Sequence, residues 1–262
     1  MKIQFSKYHG AGNDFIIIDN LDGHFDTQNQ ELIMNLCSFH TGIGADGLIL
    51  LESHPDLDYR MVYFNRNGTE ASFCGNGARC LLAFAIQQGV VESTSHFEAF
   101  DGYHEAAMVS NDFYKVLMQP VHEIVSVDAA WQLDTGSPHY VIFSTEILNK
   151  NIIELAQKIR FSPAFSEAGI NVDLVEETDK GSIKIRTYER GVEDETLACG
   201  TGVVAASIAY AKKNQLSGDI SINVEAIGGN LQVHCNAAEN DHFRNIWLLG
   251  PAIQVFDGYL EY

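Results

Sequence analysis

Cys74-Gly75-Asn76-Gly77 and Cys199-Gly200-Thr201-Gly202 are the two stretches on which the reading of this chain turns. A shift of 125 residues, from 74 to 199, lays one on the other. Without a gap, the same shift sets Phe15-Ile16-Ile17-Ile18 on Tyr140-Val141-Ile142-Phe143, Glu70 on Glu195, and Val62-Tyr63-Phe64 on Thr187-Tyr188-Glu189. A period near half the chain, in matching strand-then-helix context, marks two copies of one supersecondary unit. The expected architecture is α/β with two homologous lobes, the helix after each cysteine running through its own lobe. In the second copy that helix is apolar nearly all round (Val203, Val204, Ala205, Ala206, Ile208, Ala209), as a buried helix is. A chemical site shared by two such lobes would lie in the cleft between them.

Around these stretches the chain reads as short strands with three longer helices. Ile3–Tyr8, Phe15–Asp19, Leu48–Glu52, Tyr59–Asn65, His104–Val109 and Phe113–Met118 have strand patterns. Thr27 with Gln30 predicts a capping box for a helix turning Leu32, Leu36 and Phe39 inward. A second helix starts near Gly75, presents Ala78, Leu81, Leu82, Ala85 and Ile86, and stops at Gly89.

Composition limits the function classes. With 46% apolar and 19% charged residues, 262 residues build a sizeable core. The runs at Leu81–Ile86 and Val203–Ala211 are too short for a membrane span, and Met1–Asp14 lacks the pattern of a secretory signal. A cytoplasmic protein is expected, without a membrane partner. Sixteen basic against 35 acidic residues, net −19, leave no positive footprint for nucleic acid. An anionic substrate group must therefore be held locally, by a helix N-terminus or one Arg. Five cysteines (Cys37, Cys74, Cys80, Cys199, Cys235) without a C-x-x-C pair form neither a disulfide framework nor a zinc site.

The two cysteines stand where chemistry is easiest to arrange. A helix N-terminus exposes unpaired N–H groups and a partial positive charge. Glycines there let a carboxylate approach the backbone closely. The same field lowers the pKa of a thiol at that position, favouring thiolate, and which of the two cysteines rests as the thiolate stays open. Two such ends would grip one carboxylate and set a sulfur on each side of the adjacent carbon. One thiolate then takes the Cα proton while the opposite thiol donates another, which is racemisation or epimerisation by two-base catalysis. Taken singly, either cysteine reads as a buried inert thiol. The repeated pair carries the functional reading, and Cys37, Cys80 and Cys235 stay inert.

The segments Tyr8-His9-Gly10-Ala11-Gly12-Asn13-Asp14-Phe15, Phe64-Asn65-Arg66-Asn67-Gly68-Thr69-Glu70, Cys74-Gly75-Asn76-Gly77-Ala78-Arg79-Cys80, Tyr188-Glu189-Arg190-Gly191 and Ala198-Cys199-Gly200-Thr201-Gly202 resemble those of diaminopimelate epimerases. So does the ending Gly250-Pro251-Ala252 with Phe256-Asp257-Gly258, and the resemblance spans the chain. It implies two pseudo-symmetric lobes, each a strongly curved mixed sheet around a central helix. The first would cover 1–120 with a returning strand at 251–262, and the second 121–250. The implied reaction interconverts LL- and meso-diaminopimelate in lysine and peptidoglycan-precursor biosynthesis, with no cofactor and no metal.

Carried over position by position, Cys74 and Cys199 are base and acid, and His139 and Glu189 tune their protonation and handle the α-amine side. Asn13, Asn65, Asn171, Glu189 and Arg190 contact the amino-acid substrate, and Gly75-Asn76 with Gly200-Thr201 supply a backbone cradle. Arg190 suits a distal carboxylate, which a guanidinium clamps with two bonds. The oligomeric state stays open, a homodimer being the candidate assembly.

Two positions depart from the family pattern. Ser137 stands where the family usually has Asn, a shorter group whose reach a water or a neighbour would complete. Gly47 stands where some members carry Gln. These departures keep open a racemase of another amino acid using the same cysteines. A third reading, from a different class, is a non-catalytic two-lobed amino-acid binder, in which cysteine substitution would leave affinity intact. Gly42-Ile43-Gly44-Ala45-Asp46-Gly47 matches a dinucleotide fingerprint by letter, but it follows a helix and precedes a strand, the reverse of that context. His234, Cys235 and His242 lack metal-ligand spacing.

Overall fold

The computed structural model describes residues 2–238 and 242–261. It divides into two compact units, Met1–Val116 with Gly250–Tyr262, and Leu117–Leu249. The end residues of the expected first lobe, Met1 and Tyr262, lie outside the described residues.

In the first unit the strands are β1 (Lys2–Gly10), β2 (Asn13–Asn20), β3 (Gly47–Glu52), β4 (Tyr59–Asn65), β5 (Thr94–Ala99), β6 (Gly102–Ser110), β7 (Phe113–Met118) and the last strand of the chain, β17 (Ile253–Glu261). Neighbours run β17–β1 antiparallel, β1–β2 antiparallel, β2–β3 parallel, β3–β4 antiparallel, β4–β5 parallel, β5–β6 and β6–β7 antiparallel. The second unit holds β8 (Ile124–Val127), β9 (Ala130–Asp134), β10 (Pro138–Phe143), β11 (Asn171–Glu177), β12 (Ser182–Glu189), β13 (Asp194–Thr196), β14 (Gly218–Ala226), β15 (Gly229–Ala237) and β16 (Phe243–Pro251). Through β8–β9–β10–β11–β12–β14–β15–β16 the senses repeat in the same order, with the short β13 added beside β12. The repeat read from the two cysteines is therefore a repeat of strand order and direction.

Each mixed sheet curls around one helix. In the first unit α2 (Gly75–Gln87) is buried from Gly75 to Ala85 and meets strands from both ends of its sheet, β1, β6 and β17 among them. In the second, α4 (Gly200–Lys213) is buried from Gly202 to Ala211 and touches β9 to β12, β14 and β15. A helix enclosed on all sides must be small and apolar all round, which explains the alanines and glycines of both. Polar residues inside such a helix are exceptions; the two that matter are Arg79 and, on the first turn of α4, Thr201.

Helix α1 (Gln30–Cys37) differs from its expected form. Its cap is Asn29, whose side chain accepts from Leu32 N at 3.0 Å, and not the Thr27–Gln30 box. Phe39 lies beyond the helix end and is 47% exposed, so only Leu32 and Leu36 of the expected three face the core. A fourth helix, α3 (Ile152–Arg160), was not among the three expected. Ile152, Ala156 and Ile159 carry its inward face at helical spacing, so the signal was present in the sequence. Among the described residues no helix is long and apolar enough to cross a membrane.

Candidate active site

In the first unit, Cys74 is the N-cap of α2. Its extended backbone (φ −124°, ψ 111°) turns the sulfur back over the first turn, where it accepts from Gly77 N at 3.5 Å. The thiol points to Asn13 Oδ1 at 3.8 Å, and Asn76 Nδ2 donates to the same oxygen at 3.4 Å. Asn13 opens β2 and donates through Nδ2 to Asp46 Oδ2 at 2.7 Å. Burial and the neighbouring Asp14 raise the pKa of Asp46, against the bond from Asn13. Asn65 ends β4 opposite Gly47 and is exposed there, its backbone closing the turn with Thr69.

Behind this cluster lies Arg79, fully buried. Its guanidinium donates to Asn76 Oδ1 at 2.8 Å, to the Gly75 carbonyl at 3.4 Å and to the Pro251 carbonyl at 3.5 Å. All three acceptors are neutral, and no ion pair joins Arg79 to a carboxylate among the described residues. Burial pulls its pKa down to about 10, against the attraction of Cys80 and Cys74. That attraction is mutual, so the guanidinium favours charge on a nearby sulfur.

The second unit surrounds its cysteine differently. Cys199 is the N-cap of α4 with a similar backbone (φ −101°, ψ 113°). Its sulfur lies 3.3 Å from Thr201 Oγ1. Thr201 Oγ1 is 2.9 Å from His139 Nε2, and His139 Nδ1 is 2.7 Å from Asp173 Oδ2. Thr187 donates to the other Asp173 oxygen at 2.7 Å. His139 and Asp173 are wholly buried on adjacent parallel strands. Helix α4 comes this close because Gly202 has no side chain: a Cβ there would stand 2.7 Å from Asp173 Oδ1 and 3.1 Å from Thr187 Oγ1.

A helix end favours thiolate, but at Cys199 opposing effects are larger. Burial pushes this thiol well above its ordinary range; Glu189 and Asp173 push it further, and the Thr201 hydroxyl and the Gly202 N–H oppose them. Desolvation and two carboxylates outweigh the helix end. Glu189, one of these two carboxylates, stands at the end of β12.

Of the expected substrate contacts in this unit, Asn171, Ser137 and Arg190 form one cluster. Asn171 Oδ1 accepts from Arg190 N at 2.8 Å, and its Nδ2 donates to Ser137 Oγ at 2.9 Å. Ser137 also accepts from Arg190 Nη2 at 3.4 Å. Arg190 is exposed, held by the Ala168 carbonyl at 2.9 Å, and folds over Gly169, where a Cβ would meet its Cδ at 2.5 Å. In the first unit Gly47 is enclosed: a Cβ would stand 2.4 Å from the Tyr63 ring.

Asp46, Arg79, Asp173 and Thr187 were not among the sequence candidates. The available signal was a charge in an apolar stretch, Arg79 inside Ala78-Arg79-Cys80-Leu81 and Asp173 inside Val172-Asp173-Leu174. Gly200 and Thr201 begin α4, and the Thr201 hydroxyl faces His139. Among the described residues, no cluster of three or more His, Cys, Asp or Glu could hold a metal ion.

Solved structures share this two-copy α/β architecture. A phenazine biosynthesis protein of the PhzF family from Bacillus anthracis aligns at TM-score 0.79 and 16% identity, covering 100% of both chains. A hydroxyproline epimerase from Agrobacterium vitis aligns at TM-score 0.72 and 14% identity, over 99% of this chain and 92% of that one. They place the chain in a class of two-lobed α/β proteins. The sequence narrows that class. The family model for diaminopimelate epimerase matches residues 5–123 and 132–255. A diaminopimelate epimerase of Flavobacterium psychrophilum is 46% identical, over 96% of this chain and 97% of the relative. That of Aquifex aeolicus is 34% identical, over 99% and 98%. The chain belongs to the diaminopimelate epimerase family.

Proposed function

We propose that this chain epimerises diaminopimelate between its LL and meso forms by two-base proton transfer, with Cys74 and Cys199 as the two bases. The observation that carries the reading is the pair of N-capping cysteines on equivalent buried helices, in a chain of this family. The first turns of α2 and α4 offer N–H groups to the reacting carboxylate. Arg190, fixed by Ala168 and Ser137, suits the distal carboxylate, and Asn13, Asn65, Asn171 and Glu189 suit the ammonium groups and the substrate's remaining polar atoms.

The two surroundings divide the roles. Cys74 has a helix N–H and a buried cation at hand, so it is the thiolate that takes the Cα proton of the first isomer. Cys199, next to two carboxylates, starts as the thiol that protonates the opposite face. The reverse reaction exchanges these roles. Five free cysteines fit a reducing compartment, and we place the reaction in the cytoplasm.

The test is a substrate panel in heavy water. Diaminopimelate should exchange its Cα hydrogen and invert, and proline, hydroxyproline, histidine and other monocarboxylic amino acids should not. Faster turnover of any of these would replace the substrate while keeping the chemistry. No Cα exchange with any amino acid would leave a binding protein.

A further inference from the structure

The buried network behind Cys199 contains more than a tuned histidine. Its hydrogens can be placed from donors that have no choice. The Arg190 backbone N–H can only donate, so the oxygen of the Asn171 amide faces it, at 2.8 Å. The Asn171 NH2 group then faces the other way, giving one hydrogen to Ser137 Oγ at 2.9 Å and one to His139 Nε2 at 3.2 Å. A ring nitrogen that receives an N–H carries no hydrogen itself. The imidazole proton of His139 is therefore on Nδ1, donated to Asp173 Oδ2 at 2.7 Å, and Asp173 is held from its other side by Thr187. The one basic lone pair of Nε2 is shared between the Asn171 N–H and, closer at 2.9 Å, the Thr201 hydroxyl, which is 3.3 Å from the Cys199 sulfur.

We propose that Thr201, His139 and Asp173 form a proton relay that removes and restores the proton of Cys199, with Asp173 and Asn171 as the positioning residues that fix the working tautomer. This rests on the two-base reading above and adds how the second base is made. In the forward step the Cys199 S–H bond breaks and its proton passes to Thr201 Oγ1. The Thr201 O–H bond breaks in turn and that proton bonds to His139 Nε2. The products are a thiolate and an imidazolium, with no net change in atoms or electrons. Asp173 supplies the counter-charge the imidazolium needs in a buried site. The Asn171 N–H still faces Nε2 and opposes a second hydrogen there, so the proton is only lent to the ring. The relay thus resolves a conflict in the geometry: burial, Glu189 and Asp173 keep Cys199 neutral, yet the reverse reaction needs it as a base.

Two measurements test this. In wild-type protein labelled with 15N-histidine, the His139 ring, assigned by its loss in His139→Gln, should show a protonated Nδ1 and a bare Nε2. A proton on Nε2 would overturn the relay whether or not any variant folds. In steady state, Thr201→Val should lower kcat by about 100-fold or more with KM little changed, the scale of one lost general acid–base step. Thr201→Ser, which keeps the hydroxyl, should recover most of that loss. Asp173→Asn should lower kcat at least as far, because its amide would drive the proton from Nδ1 to Nε2. Iodoacetamide alkylation of Cys199 should slow about tenfold or more in Thr201→Val and stay near wild type in Thr201→Ser, while Cys74 reacts as before. Equal kcat and equal Cys199 alkylation in Thr201→Val and wild type would reject the relay. Failure of the two-base reading is separate: wild-type protein would exchange no Cα hydrogen, whatever tautomer the ring shows.

Discussion

Helices α2 and α4 are the same element twice, each starting at a cysteine, enclosed by a sheet of the same strand order, and running on through glycine and alanine. What lies behind the first turn differs. Position 79 in α2 is a buried arginine, and its counterpart 125 residues on is Val204; position 173 on β11 is a buried aspartate, and its counterpart is Leu48. One cysteine therefore has a cation near it and the other has anions. The lesson is that a repeated backbone sets where two sulfurs stand, while a few charges placed behind them set what each sulfur is. Opposite surroundings suit an enzyme that needs one thiolate and one thiol at the same moment.

The largest effect should come from removing either sulfur. Cys74→Ala and Cys199→Ala should each lower net epimerisation by about 10³-fold or more, on the scale of lost acid–base groups. Each variant should still wash out the Cα hydrogen of the isomer its remaining cysteine serves, read by mass spectrometry in heavy water. Net inversion by either variant at wild-type rate would end the two-base reading.

Next in size is the loss of the cation. Arg79→Met should slow alkylation of Cys74 at neutral pH by about tenfold or more, since an opposite charge nearby is worth about one to three pKa units. Arg79→Lys should fall between. Unchanged Cys74 reactivity in Arg79→Met would remove the electrical contrast between the units.

Adding one methyl to each helix sharpens the contrast in packing. Gly202→Ala should cost about 1–3 kcal/mol in urea unfolding, because its Cβ meets an Asp173 carboxylate already fixed by two bonds. Gly77→Ala should cost less, because its Cβ meets the Ile49 Cδ1 methyl at 2.8 Å and the Met61 Cε methyl at 3.3 Å, the far ends of flexible side chains.

The smallest effect should fall on both units alike. Burial pushes the Cys37 and Cys235 thiols up to about 12, from an ordinary value of 9.0. Below pH 9 the thiols are neutral in both the folded and unfolded chain and contribute nothing. Between pH 9 and 12 the unfolded chain ionises first and binds fewer protons, so stability falls as pH rises. Each such thiol should steepen that fall by about 1.4 kcal/mol per pH unit. Cys37→Ala and Cys235→Ala should each flatten it by that amount in denaturant melts at several pH values; an unchanged slope would show that these thiols ionise in the folded chain.

Much of this was legible beforehand. Glycine-flanked cysteines at a fixed offset named the two helices and their start residues, because a tight turn into a buried helix demands small residues. Strands β2, β3 and β4 were read to within two residues from apolar runs that a doubly covered strand requires. The misplaced cap of α1 has a local cause: Asn29 and Thr27 both suit an N-cap, and which one caps depends on where the preceding loop enters. The charge state of Cys199 was not legible, because the helix end that lowers a thiol pKa is visible in sequence and burial beside Asp173 is not.

The sequence by itself determined that the chain is two copies of one α/β unit, that Cys74 and Cys199 begin the core helix of each, and to which family the motifs belong. Periodicity, turn glycines and spacing are local properties, and local properties survive in one dimension. Only the tertiary structure decided that Asp173, His139 and Thr201 line up behind Cys199 while Arg79 lies behind the Cys74 cluster in the other unit. These contacts join residues on separate strands and helices, and their force depends on exclusion of water, which exists only once the sheet has closed around the helix.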